Sequence, residues 1–255
     1  MRHTPSHSLR SRVALVVSFG LLLLTTCDGE GNATVSFTQP ADEAIVVGGL
    51  VVEMSAEGIT IEEAGEVHEG AGHFHVIADD GCARPGETVP RDADHVHFGG
   101  GQTEGTVYLE PGTHELCLQA GDGSHVALDA TDGVTVEVAV TDRDQWCAVV
   151  GEADELFTAA DTDGDAFLVR QVAYENVRRL IAQLAAALDQ VDAEARDEVA
   201  ASLEVGSTIA TAIVEADDAD FAEAAVMEIF GTEGIQSDGP GPTWILENCG
   251  IDIDG

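Results

Sequence analysis

The hydrophobic pattern changes period partway along the chain, and that change limits the fold more than any other feature of the sequence. Between about residues 33 and 141 the apolar runs are short: TVSFTQP (34–40), AIVV (44–47), LVVEMSAEG (50–58), HFHVIAD (73–79), GTVYLEPGTHELCLQAG (105–121) and GVTVEVAVT (133–141). Gly, Pro and Asp separate them at near-regular spacing, which predicts the strands of a sandwich or barrel. From about residue 146 the spacing becomes helical. FLVRQVAYENVRRLIAQLAAALDQV (167–191) sets Val172, Val177, Leu180, Ile181, Leu184 and Leu188 on one face, and DAEARDEVAASLEVGSTIATAIVEA (192–216) does the same with Val199, Leu203, Ile209 and Ile213. ADFAEAAVMEIF (219–230) and PTWILENC (242–249) predict two shorter helices, with Asp192 and Asp220 as N-caps and Pro240 and Pro242 before the last one. The second half therefore reads as a bundle of four or five helices. No repeat links the two halves.

Charge removes whole classes of function. The 255 residues carry 48 Asp and Glu against 10 Lys and Arg, a formal charge of −38, and every one of those cations is Arg. Nucleic-acid binding depends on cations that neutralise phosphate, so it is excluded, and an anionic membrane surface is disfavoured. The field attracts cations, although acidity of this kind is also a solubility or salt-adaptation trait. With 44% apolar residues the chain has enough material for a real core and is not an acidic tail.

The first 26 residues read as a signal peptide. Arg2, Arg10 and Arg12 precede the apolar stretch Val13 to Leu24, which is short for a bilayer span. Leu24-Thr25-Thr26-Cys27 resembles a bacterial lipoprotein box, with Cys27 as the lipidation site and residues 27–32 as a tether; Thr26 departs from the usual small residue, which leaves ordinary cleavage open. The membrane is then a partner only through that lipid anchor, and the chain is expected to be exported, facing the extracellular side or the periplasm. Five cysteines fit this picture. Cys27 is the odd one, and Cys82, Cys117, Cys147 and Cys249 are left to pair. Each half holds two of the four, so Cys82–Cys117 and Cys147–Cys249 are preferred over crossed bonds.

Histidine is the most informative residue type. Seven of the nine lie between His68 and His125, and none falls in the helical half. In a strand, residues i and i+2 share a face, so His73 pairs with His75 and His95 with His97. Two such pairs supply up to four imidazoles, a donor set suited to zinc, copper or nickel, with copper(II) or zinc preferred. His114, after a turn, and His125, in a Gly/Asp loop, stand second to those four. The competing reading is a polar face that hydrogen-bonds the backbone. Gly99-Gly100-Gly101 reads as a strand-connecting turn, since neither a Lys nor a helix follows to make a phosphate cradle.

Other signals fall short. HEGAGH (68–73) spaces its histidines five apart in a glycine-rich context, which does not make a zincin helix. DTDGDAFLVRQV (161–172) begins like a calcium loop with Asp161, Asp163 and Asp165, but Ala166 and Val172 occupy the positions that need Gly and Glu, so calcium is disfavoured. There is no GxSxG, HExxH or phosphate loop, and the expectation is a protein that is not an enzyme.

The string HVHFGGGQTE (95–104), with HFH (73–75) before it and LEPGTHELCLQAGDGSH (109–125) after it, resembles a bacterial family of secreted domains of unknown function with histidine-containing immunoglobulin-like modules. The resemblance spans about residues 33–141, and family members carry histidines at positions matching His73, His75, His114 and His125. It brings no established activity. The corner YLEPGTHELCL also resembles turns of immunoglobulin-like and fibronectin-like modules, while QWC (145–147) and ENCG (247–250) resemble the cysteine brackets of helical C-terminal domains of actinobacterial lipoproteins. The expected fold is α+β with two domains, an immunoglobulin-like β-sandwich (33–141) followed by an α-helical bundle (142–255). The expected function is a noncatalytic cell-envelope lipoprotein with a His-rich copper or zinc site. A structural or adhesive module binding an envelope protein or glycan, and a metalloenzyme, are the alternatives.

Overall fold

The computed structural model describes residues 33–162, 167–233 and 240–251. The signal peptide, the tether, Cys27 and the Asp163–Ala166 part of the calcium-like loop lie outside the described residues. Within them the protein is a mixed α+β structure with nine strands and five helices.

The strands are β1 (Thr34–Gln39), β2 (Ala44–Val46), β3 (Leu50–Glu57), β4 (Thr60–Ile61), β5 (Ala71–Ala78), β6 (His95–Phe98), β7 (Glu104–Val107), β8 (Gly112–Gly121) and β9 (Ala127–Val138). A three-stranded sheet runs β1-β3-β7, and a larger one runs β2-β9-β8-β5-β4, with β6 also pairing β5. The apolar members of the alternating runs meet between the sheets. Val35, Val52, Met54 and Val107 come from the smaller sheet, and Phe74, Val76, Leu118 and Val136 from the larger. The run 105–121, read as continuous in the sequence, breaks at Tyr108–Pro111 into β7 and β8, which belong to different sheets. Proline, lacking an N–H, suits such a corner.

The strand β5 sits inside the larger sheet and is buried along its whole length. Its inner face (Phe74, Val76, Ala78) enters the shared core. Its outer face is covered by the chain between β5 and β6. There Cys82 is disulfide-bonded to Cys117, Gln119 bonds both the N–H and the carbonyl of Ala83, and Val89 packs on Ile77 and Ala127. Val89 N–H donates to His125 O at 2.9 Å, and Gly86 and Glu87 exchange backbone bonds with Ala127. This cover makes the outer face a second interior.

The helices are α1 (Arg143–Thr162), α2 (Phe167–Ala186), α3 (Arg196–Val214), α4 (Ala219–Glu233) and α5 (Pro240–Cys249). Trp146, Val149, Leu180, Leu184, Val199, Trp244 and Ile245 form one apolar cluster, and the Cys147–Cys249 disulfide joins α1 to α5 across it. The acid-rich stretch GEADEL hid α1 from a periodicity reading. Val172 is exposed rather than part of the apolar face, because the buried stripe of α2 runs through Tyr174, Val177, Leu180 and Leu184. Neither proposed cap holds. The carboxylate of Asp192 accepts from Trp244 Nε1 and Arg143 instead of capping α3, which starts after Ala195. Asp218, not Asp220, caps α4 by accepting from Phe221 N–H at 3.0 Å.

Two buried side chains of α2 reach into the β half. Gln183 donates to Gly48 O and Leu109 O and accepts from Gly48 N–H. Arg179 donates to Tyr108 O at 2.6 Å and to Asp94 at 2.8 Å, just ahead of β6. Both satisfy backbone groups that the break between β7 and β8 leaves unpaired by strands.

Candidate metal centre

Register decides which histidines meet. In the antiparallel pair β5–β6, His75 lies opposite His97 and Ile77 opposite His95. Cross-strand partners share a face, so both histidines of β6 lie on the outer side of the sheet. One step past the paired residues, the position opposite His73 falls to Gly99. On the other flank, β8 places Gly121 opposite His73 and Gln119 opposite His75. His73 therefore has a glycine on either side, and the space over them is filled by the rings of His97 and His75.

The four rings of His73, His75, His97 and His125 converge. Their six centroid separations run from 4.6 to 5.8 Å. His73 and His75 share a hydrogen bond, Nε2 to Nε2, at 3.0 Å, and His97 and His125 share another at 3.0 Å. Ligand atoms of His73, His97 and His125 all lie within 4.8 Å of one another, a grouping able to hold a metal ion. His73 and His75 are completely enclosed, and His97 and His125 are half-buried.

Glycine makes this convergence sterically feasible. A Cβ at Gly99 would overlap the His97 ring, 1.9 Å from Cε1, and one at Gly121 would lie 2.9 Å from His75 Nε2. The first glycine of the Gly99–Gly101 run thus makes room for a histidine ring as well as ending a strand. His125 is held in the left-handed region, φ 65°, uncommon for a residue with a side chain. The Asp122 carboxylate holds that turn by accepting from the N–H groups of Ser124 and Val126, while His125 N–H donates to Asp122 O. A strained residue over-determined by its loop is characteristic of functional positions.

Burial disfavours protonation of three of the rings, His73, His75 and His97. Burial lowers His75 to about 3, reinforced by His73, His97, His125 and His95. Burial lowers His73 to about 4, with His97 and His125 adding and Asp122 opposing. His97 is also lowered, by burial first and then by His125 and Arg91. Imidazole must be unprotonated to bind a metal, so these shifts favour the ligating form. The Nδ1 atoms of His73 and His75 are buried without a hydrogen-bond partner. Histidines placed there only to hydrogen-bond would normally have both ring nitrogens satisfied.

The structure brings together His73, His75 and His97 of the first-ranked histidines and adds His125 from the second rank. His95 is not in the cluster. Although it shares a face with His97, it stands level with Ile77, one strand repeat away, and its Nδ1 bonds Asp92 at 2.6 Å. Burial opposes ionisation of Asp92, but the bonds from His95 and from Asp94 N–H outweigh it and hold that carboxyl below its usual range. His114 lies elsewhere, with Nδ1 on Asp79 and Nε2 on Glu110 O, each at 2.8 Å. Both are engaged in hydrogen bonds away from the converging rings. Sequence reasoning missed Gln119, Asp122 and the segment covering the outer face. The only trace in the sequence was the Cys82–Cys117 pair, whose bond draws that segment down.

Two disulfides accord with an oxidising, exported setting. Among the described residues no helix is long and apolar enough to cross a membrane.

Comparison with known proteins gives few parallels. No curated protein matches the sequence. Among solved structures, the endo-beta-1,4-mannanase from Thermotoga petrophila is similar at 16% identity and a TM-score of 0.29, over 46% of this chain and 22% of that one. The fibronectin(III)-like modules of Clostridium thermocellum CbhA are similar at 21% identity and a TM-score of 0.23, over 41% of this chain and 96% of that one. Likeness at this level carries no inference about activity. Residues 52–140, which contain all four converging histidines, match the model of the family described as Domain of unknown function (DUF4399).

Proposed function

We propose that this protein is a noncatalytic, envelope-anchored metal-binding protein whose site is the imidazole cluster of His73, His75, His97 and His125. In this reading residues 33–141 form an immunoglobulin-like carrier domain, residues 142–255 form a helical bundle, and Cys27 bears the lipid anchor. The observation that carries the reading is the convergence of four imidazole rings within 4.6–5.8 Å of one another, two of them completely buried. Such a cluster is costly to bury, and a cation bound by the facing Nε2 atoms offsets part of that cost. An all-imidazole donor set suits zinc or copper and does not suit calcium, which takes oxygen ligands. The surrounding negative charge concentrates cations near the site without selecting among them.

The test is the metal content of purified protein after exposure to zinc or copper(II), followed by removal of free ion. One ion per chain is expected for the wild type, and none for the double variant His97→Ala/His125→Ala. These two are the half-buried members, so their loss spares the buried pair. Equal weak uptake by both proteins would assign the binding to the acidic surface and leave the cluster as a hydrogen-bonded polar layer.

A further inference from the structure

The arrangement of the rings selects among metals, not only for metal. Four points can be mutually equidistant only at the corners of a tetrahedron. A square must have two separations longer than the other four by a factor of about 1.4, and those two diagonals share no corner. With zinc–nitrogen bonds near 2.0–2.1 Å, the four ring centroids of a tetrahedral tetra-imidazole site stand roughly 5.2 Å apart for every pair. A square-planar site, the preference of copper(II) and nickel(II), gives about 4.5 Å for neighbours and about 6.4 Å for diagonals.

The observed separations are 4.8 Å for His73–His75, 4.8 Å for His73–His97, 5.0 Å for His73–His125, 5.1 Å for His75–His97, 5.8 Å for His75–His125 and 4.6 Å for His97–His125. The longest, His75–His125, is matched across the cluster by His73–His97 at 4.8 Å, so the set has no second diagonal. The backbone supports the same shape. His73 and His75 come from one strand, His97 from the strand beside it, and His125 from a turn after β8. Donors from one flat strand pair alone would approach from one side, and the left-handed turn at His125 brings the fourth ring in from another direction.

Among the described residues no sulfur joins the cluster. Cys82, Cys117, Cys147 and Cys249 are closed in disulfides, and Met54 lies in the core between the sheets. The soft ligands that would draw copper(I) are thus engaged elsewhere at these five positions, and the exposed Met227 is on α4.

We infer that the site takes zinc in a tetrahedral shell built on the three-histidine group His73, His97 and His125 and closed by His75, whose Nε2 lies 3.0 Å from His73 Nε2, with geometric discrimination against copper(II). This rests on the metal-binding reading proposed above and deepens it. Catalytic zinc keeps a position open for water or substrate, whereas structural zinc sites have four protein ligands. Four imidazoles leave no such position, so the bound ion is held rather than put to work. The half-buried rings of His97 and His125 form the side from which it enters.

Cobalt(II) is the probe, because its visible absorption reports coordination number. Added to the metal-free full chain, it is expected to bind one per chain with the intense absorption of a tetrahedral centre, and zinc is expected to displace it. His75→Gln should weaken zinc binding at least tenfold and bleach that absorption, while His95→Gln should change neither. The wild-type spectrum stands by itself should His75→Gln fail to fold. Stoichiometric cobalt with the faint spectrum of a six-coordinate ion would overturn the tetrahedral inference and leave the metal site standing. So would copper(II) binding with a square-planar electron-spin signature and its full usual advantage over zinc. Absence of stoichiometric binding by cobalt and zinc, with copper(II) also failing, would overturn the metal reading itself.

Discussion

The two faces of β5 are equally hidden from solvent and chemically opposite. Phe74 and Val76 on the inner face are completely buried, and so are His73 and His75 on the outer face. The inner face is buried by the second sheet, apolar against apolar, which contributes favourably in proportion to area. The outer face is buried by a disulfide-tethered segment and by two further histidines, so its burial works against charge. One face holds the fold together. The other is held in place by that fold, and in the reading proposed above it carries the metal site.

Acid offers the largest way to break the comparison. Histidines in the unfolded chain protonate near 6.5, whereas folded His73 and His75 do so only near 4 and 3. Above 6.5 neither state carries the extra protons, and these groups leave stability independent of pH. Below it the unfolded chain binds two protons that the folded chain excludes, so stability falls by roughly 2.7 kcal/mol per pH unit down to about pH 4. Thermal melts of metal-free protein between pH 7.5 and 4.5 should show this decline, and zinc should delay it. A flat profile over that window would show that the outer face is not an excluded interior.

On the inner face, Phe74→Ala should cost about 3–5 kcal/mol in denaturant unfolding, because it leaves a cavity between the sheets. Metal stoichiometry of the protein that remains folded should not change. If stoichiometry fell in step with stability, the two faces would be one cooperative unit rather than a support and a site.

Gly99→Ala sits between the faces in its effect. The new methyl would collide with the His97 ring, and overpacking of this kind costs about 1–3 kcal/mol. The expected signature is a loss of zinc affinity of at least tenfold by competitive titration, because the displaced ring belongs to the proposed site. The smallest effect belongs to His95→Ala, which removes a bond to Asp92 and should leave zinc affinity within a few-fold of wild type.

The sequence made some of this legible and concealed the rest for physical reasons. Strand alternation fixed the shared face of His73 and His75, and the helical period identified Leu180 and Leu184 as core. Alternation also put His95 and His97 on one face, correctly, but sharing a face does not fix position along it. Only the pairing of His75 with His97 shows that His95 stands a strand repeat away. His125 belongs to the cluster through a turn held by Asp122, a long-range placement with no periodic signal. The covering segment 79–94 has little apolar pattern of its own, since its burial depends on a disulfide and on Gln119. The attachment of α2 through Arg179 and Gln183 was equally silent, because polar residues on a helix normally read as its solvated face.

Zinc-dependent stabilisation tests the central claim most directly. The claim is that the four histidines form a cation site and not a polar layer. A ligand that binds only the folded state at one hundred times its dissociation constant adds about 2.7 kcal/mol of stability. Melting of the wild type and of His97→Ala/His125→Ala should be followed at pH 7.5 with and without zinc. The account predicts a large upward shift in melting temperature for the wild type and none for the double variant. Equal shifts in the two proteins, or no shift in either, would contradict it.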